Sequence, residues 1–222
     1  MLKYQNYLAS ITLGLGILWI TPAMAIEEPK YEVIVSDAQF EVRHYAPVLI
    51  AETIVEGDMD AASSKGFRLI ADFIFGNNLS SDTDKKSKIA MTAPVTVEPQ
   101  SSKIAMTAPV TVEPQAAESN MKTAKTWRIN FVMPSQYTLA NIPKPKNNAV
   151  SLREVPSKYF IVHKYSGFNT VSRVQTKTDE TVEWAIKRSY KMIGTPQLSR
   201  YDPPWTLPMF RRNEIMLEIA AP

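Results

Sequence analysis

Residues 40–76 read FEVRHYAPVLIAETIVEGDMDAASSKGFRLIADFIFG, and this stretch decides the fold class. Phe40, Val42 and His44 share one parity, and Glu41, Arg43 and Tyr45 the other, which is the period-two signature of a strand. Val48 to Val55 is β-branched and apolar, a second strand close behind the first. The period then changes. Asp58 is placed to cap a helix whose apolar positions are Met59, Ala62, Phe67, Ile70 and Ile74, with Gly76 as its stop. Two strands in quick succession and then a helix favour antiparallel pairing with the helix laid on one face.

Working outward, Tyr31, Val33 and Val35 alternate in an earlier strand, and Asn77 to Lys86 is a polar, charged loop. Ser87 to Gln100 reads SKIAMTAPVTVEPQ, and Ser102 to Gln115 repeats it letter for letter. Two copies are too few for a solenoid. Each contains Val-Thr-Val beside Pro94 or Pro109, prolines that belong on edge strands or at bulges. The pair reads as a hairpin or an extended flap. The offset between the copies is odd, so a single continuous strand would point them to opposite faces. Trp127, Ile129 and Phe131 alternate in a further strand, followed by the Pro-rich connection NIPKPKNN. Ala149 to Glu154 and Tyr159 to Tyr165 read as strands. Thr178 or Asp179 starts a second helix, with Val182, Ala185, Ile186 and Ile193 in its stripe and Gly194 as its stop. Ile215, Leu217 and Ile219 share a face of the last strand. The order is strands, helix, strands, repeated once: an α+β arrangement of duplicated strand-helix-strand units, as one sheet or an open barrel with two helices against it.

The first 25 residues stand apart. A polar opening with Lys3 as its only charge precedes the apolar run ITLGLGILWI, which is short for a bilayer span. Pro22-Ala23-Met24-Ala25 has the A-x-A cleavage pattern. This reads as a secretory signal peptide cut after Ala25, leaving residues 26–222 as a single domain with two pseudo-repeat halves, exported to the periplasm and with no stable membrane span. The competing reading is a retained anchor. The 222-residue chain has 25 basic and 22 acidic residues, a near balance that gives no electrostatic reason to expect nucleic acid. Cysteine is absent, which removes thiolate catalysis, thiolate metal ligands and the C-x-x-C-H run of covalent c-type haem attachment. There is no G-x-S-x-G, H-E-x-x-H or glycine-rich phosphate loop, so no enzymatic activity is expected. With two histidines and no suitable carboxylate cluster, a dedicated zinc site is not expected either.

Several strings resemble one family: KIAMTAPVT, WRINFVMPSQYTL, the PKP stretch, Tyr165-Ser166-Gly167-Phe168 and, above all, YDPPWTLPMFRRNEIMLEI at 201–219. They look like the SOUL haem-binding family over about Glu28 to Ile219, and the doubled IAMTAPV looks like its bacterial members. The resemblance implies a distorted antiparallel barrel of duplicated units flanked by two helices. The wider superfamily resembles gyrase-inhibitor-like modules that bind small apolar molecules. It also implies reversible, non-covalent binding of haem or a related tetrapyrrole in an apolar cleft beside the first helix. A histidine in an EIRHY context is a proposed axial ligand in one branch of the family, and Glu41-Val42-Arg43-His44-Tyr45 makes His44 the corresponding candidate and the one candidate metal ligand, for haem iron.

Haem asks for an apolar slot, cations near its propionates and, optionally, a neutral imidazole. His44 would supply the imidazole; the competing reading is a strand-end histidine satisfied by a backbone carbonyl. Phe67, Ile70 and Ile74 are the candidates for lining the slot, against a plain core role. Lys65 and Arg68 are the propionate candidates, against ordinary solvated charges. His163, on the parity of Ile161, reads as a core or surface strand residue, and Met91 and Met106 as packing. Arg211 and Arg212 read as braces, pairing with Glu214 or with carbonyls. Trp205 and the two prolines before it read as a rigid corner. The alternative function is a binding module for another apolar small molecule, with haem incidental.

Overall fold

The computed structural model describes residues 27–79, 87–99 and 121–222. The expected signal peptide and the second copy of the repeat lie outside them. Strands β1 (Tyr31–Asp37), β2 (Phe40–Tyr45) and β3 (Val48–Glu56) lead into helix α1 (Met59–Ile74). Two-residue β4 (Asn78–Leu79), then β5 (Val95–Pro99), β6 (Thr126–Val132), two-residue β7 (Lys144–Pro145), β8 (Ser151–Val155) and β9 (Lys158–Tyr165) follow. Helix α2 (Val171–Lys187), β10 (Gln197–Arg200) and β11 (Asn213–Ile219) complete the order.

Nine strands form one antiparallel, curled half-barrel in the order β1-β2-β9-β11-β10-β5-β6-β3-β8, while β4 and β7 pair separately. β2 pairs with β9, and β5 with β10, so neither half of the chain owns a sheet of its own. Both helices lie on one face. The cross-strand row Ile129–Val97–Leu198–Ile215–His163–Phe40 runs along that face. Its β6 end lies under α1, where a Cβ on Gly66 would come within 2.4 Å of Ile129. Its β9 end lies under α2, where His163 meets Lys177 and Thr181. Among the described residues no helix is long and apolar enough to cross a membrane.

Asp58 caps α1 as its sequence suggests, its side chain accepting from the N–H of Ala61 at 2.8 Å. Helix α2 differs from expectation. It begins at Val171 under a Thr170 cap, well before Thr178, and ends by Arg188 rather than running to Gly194. The early turns look polar in sequence because their buried positions include Thr178 and Thr181. Each of these threonines donates its hydroxyl to the carbonyl four residues back, Val174 or Lys177, and so enters the core satisfied. Strand β5 is not an edge. It lies between β10 and β6, and Pro94 falls one residue before the ladder begins, where its missing N–H costs no pairing. Short β10 has no clear period-two signal and is an element the sequence did not announce.

Candidate functional site

The two histidines share the helix-side face but differ in chemistry. His163 is buried, with Nδ1 3.3 Å from both the Lys177 carbonyl and the Thr181 hydroxyl, and its ring is 4.2 Å from that of Phe40. Burial holds its pKa below the usual 6.5, so it is a neutral core residue. His44 is half-buried near the end of β2. Its imidazole stacks on Tyr159 at 4.3 Å and 13° and makes no hydrogen bond among the described residues. An imidazole with no competing hydrogen-bond partner suits an axial donor. The row His44–Tyr159–Ile219–Met192 continues from it across β9 and β11 and offers an apolar edge beside the imidazole.

The α1 candidates are elsewhere. α1 packs on β3, β5 and β6, and β2 is separated from β5 in the sheet by β9, β11 and β10. His44 is therefore not brought together with Phe67, Ile70, Ile74, Lys65 or Arg68. Ile70 and Ile74 are fully buried in the main core, with Phe73, Trp127 and Ile129. The contact of Gly66 with Ile129 closes the helix onto the sheet, so these two isoleucines fill the space a slot would need. Phe67 alone of the three reaches solvent, its ring 5.5 Å from that of Phe131. Lys65 and Arg68 are exposed, with no acidic partner among the described residues.

The opposite face of the sheet carries an ionic network beside a small apolar cluster of Tyr45, Phe160, Val162 and Met216. Arg43, fully buried, donates to Glu41 at 2.7 Å, to the Tyr45 hydroxyl at 2.8 Å, and by two nitrogens to Glu214 at 3.0 and 3.1 Å. Glu214 also accepts from the Tyr201 hydroxyl at 2.7 Å and from Arg212 at 3.0 Å. Burial first, then the carboxylate of Glu214, push the Tyr201 pKa up, so it stays a donor. Arg211 instead donates to the carbonyls of Thr206 and Pro204 and holds the corner at 203–210. That corner projects Trp205, 82% exposed, together with Leu207, Met209 and Phe210. Phe168 joins them through the 2.8 Å bond from Gly167 N–H to the Pro208 carbonyl. Sequence reasoning missed this apolar tip; the signal was four large apolar residues within a proline-punctuated, irregular run.

Among the described residues, no group of three or more metal-ligating side chains occurs. A recess of about 170 Å³ near Pro29, Leu49, Pro134 and Tyr137 contains none of the candidates.

The comparison with known families is decisive. A model of the SOUL heme-binding protein family matches residues 26–102 and 98–218. The chain belongs to this family. The two matched segments of this SOUL chain meet within Glu98–Ser102, the joint between the two copies of the repeat. No curated relative matches it. Solved structures of the same fold include the C-terminal domain of EcmrR, with TM-score 0.57 and 10% identity over 83% of this chain and 98% of that one. An uncharacterized conserved protein from Listeria innocua has TM-score 0.54 and 11% identity over 82% and 92%. A hydrolase from Listeria innocua has TM-score 0.50 and 10% identity over 84% and 94%. At such identities the likeness is one of fold alone.

Proposed function

We propose that this SOUL protein binds haem or a related tetrapyrrole reversibly and without covalent attachment, with His44 as the axial donor to iron. Family membership supports the ligand class. The observation that carries the residue is the half-buried imidazole of His44, stacked on Tyr159 and without a hydrogen bond among the described residues. His44 would hold the iron, and Tyr159 and Met192 would give the macrocycle apolar contact. Bound iron would supply the Lewis acidity that the imidazole meets. The absence of cysteine supports non-covalent binding. The leader-like residues 1–25 support export and a buffering or carrier role in the periplasm. We expect neither catalysis nor nucleic-acid binding.

Haemin titration of the chain beginning at Ile26 tests the reading. A saturable Soret shift at micromolar haemin is expected. His44→Ala should change the bound spectrum and His163→Ala should not. No saturable shift overturns the proposal. An unchanged spectrum in His44→Ala, with affinity lost in the Lys65→Glu/Arg68→Glu double variant, moves the site to the α1 surface.

The apolar tip at 203–210 favours a second reading, a module for another apolar molecule. It predicts weak haem binding insensitive to both histidines and lost in Trp205→Ser/Phe210→Ser.

A further inference from the structure

The structure describes one place for the repeated segment, and that place is specified by residues both copies possess. From the first copy, Ser87 exchanges two bonds with the Asn78 side chain, at 2.7 and 3.0 Å. Ile89 N–H donates to the Ile74 carbonyl at 2.9 Å, Ala93 N–H to the Glu27 carbonyl at 3.0 Å, and the Thr92 hydroxyl to the Val132 carbonyl. Thr96 meets Ser199 at 3.3 Å, and Val97, 1% exposed, belongs to the main core. β5 is laddered on both sides, to β6 and β10. Ser102–Gln115 lies outside the described residues, but it carries the same side chain at every corresponding position.

We infer that the slot between β6 and β10 is a binding site for this segment and that the chain carries two interchangeable occupants for it. Seating the second copy would repeat each contact above, with Thr111 in place of Thr96 and Val112 in place of Val97. Only the connections change. The spans 80–86 and 100–120 around the first copy become 80–101 and 115–120 around the second. Loop-closure entropy varies only logarithmically with length, so this exchange is nearly neutral. Pro99 is the cross-strand partner of Trp127, so whichever copy occupies the slot ends where β6 begins. The two family matches, 26–102 and 98–218, each contain one whole copy of the segment. The native state is then two packings of one sequence, populated to comparable extents.

Substituting one copy at a time tests this. Asp at position 97 or 112 puts a carboxylate into the core of whichever copy is seated. With two occupants, Val97→Asp and Val112→Asp each remove one packing. Each lowers the folding constant only about twofold, while the double variant loses the cooperative transition. A deletion of 101–115 carrying Val97→Asp should fail in the same way, showing that the substitution is disruptive when no spare exists. If Val97→Asp alone behaves like the double variant and Val112→Asp like the unaltered chain, or the reverse, one copy owns the slot and the inference is wrong. A second measurement leaves the core intact. The chain has no cysteine of its own, so Asn130→Cys can be combined with Thr96→Cys or with Thr111→Cys. Comparable oxidative cross-linking of both pairs is expected; cross-linking of one pair only overturns the inference.

Discussion

Arg43 and Glu214 are both sealed in the ionic network, with side chains 1% and 0% exposed. Arg43 is shared between Glu214 and Glu41, and Glu214 between Arg43 and Arg212, so each desolvated charge has two partners. Breaking such a pair by removing one partner costs about 3–5 kcal/mol, because a buried charge is left unmatched. Glu214→Gln should lower stability in urea denaturation by less than that full amount, about 1–3 kcal/mol, because Arg43 keeps Glu41 and Arg212 keeps Glu28. His163 gives a pH dependence of known sign. Its folded pKa lies below 6.5 because burial disfavours the cation. As pH falls through about 6.5 the unfolded state takes up a proton the native state refuses, so the contribution is full above that pH and declines below it. Denaturation midpoints measured from pH 7.5 to 5 should fall for the unaltered chain. His163→Gln should start lower and show a shallower fall over that window.

At the scale of elements, the seat of α1 is set by a single glycine. Gly66 is where the helix backbone meets β6, and a Cβ there would lie 2.4 Å from Ile129 Cγ1 and 2.7 Å from its Cβ. The second atom is close to the backbone and cannot swing away. Gly66→Ala should destabilise by about 1–3 kcal/mol despite the better helix propensity of alanine. Combining it with Ile129→Ala should recover part of that loss, a non-additivity readable from the two singles and the double in urea. The same seat explains the fate of the expected slot. α1 presses close enough to the sheet for Ile70 and Ile74 to be spent on packing.

At the scale of the molecule, the sheet has a helix-covered face with an apolar floor, an opposite face with a buried ionic network beside a small apolar cluster, and an apolar tip standing clear of both. Because the tip is exposed, Trp205→Ser and Phe210→Ser should leave the unfolding free energy within about 0.5 kcal/mol while reducing binding of an apolar fluorescent dye. Strand parity, the α1 cap and the family strings were all legible in the chain, since each is a local pattern of period or composition. The start of α2 was not, because buried threonines satisfied by their own helix carry no apolar signal. The position of β5 inside the sheet was not, because two identical segments and a proline gave the reading no means to choose.

By itself the sequence determined the α+β class, the family and the inward parity of β2, β6 and β11, since side-chain period and motif are properties of neighbours in the chain. The expected parity of Tyr31, Val33 and Val35 is broken by a bulge between Val33 and Val35. Only the tertiary structure decided that His163 is spent in the core while His44 stacks on Tyr159 with no hydrogen bond among the described residues, and that the α1 candidates lie apart from it. Those outcomes depend on which strands pair. β2 meets β9 and α1 meets β6 across long stretches of chain, and no local pattern encodes that distance.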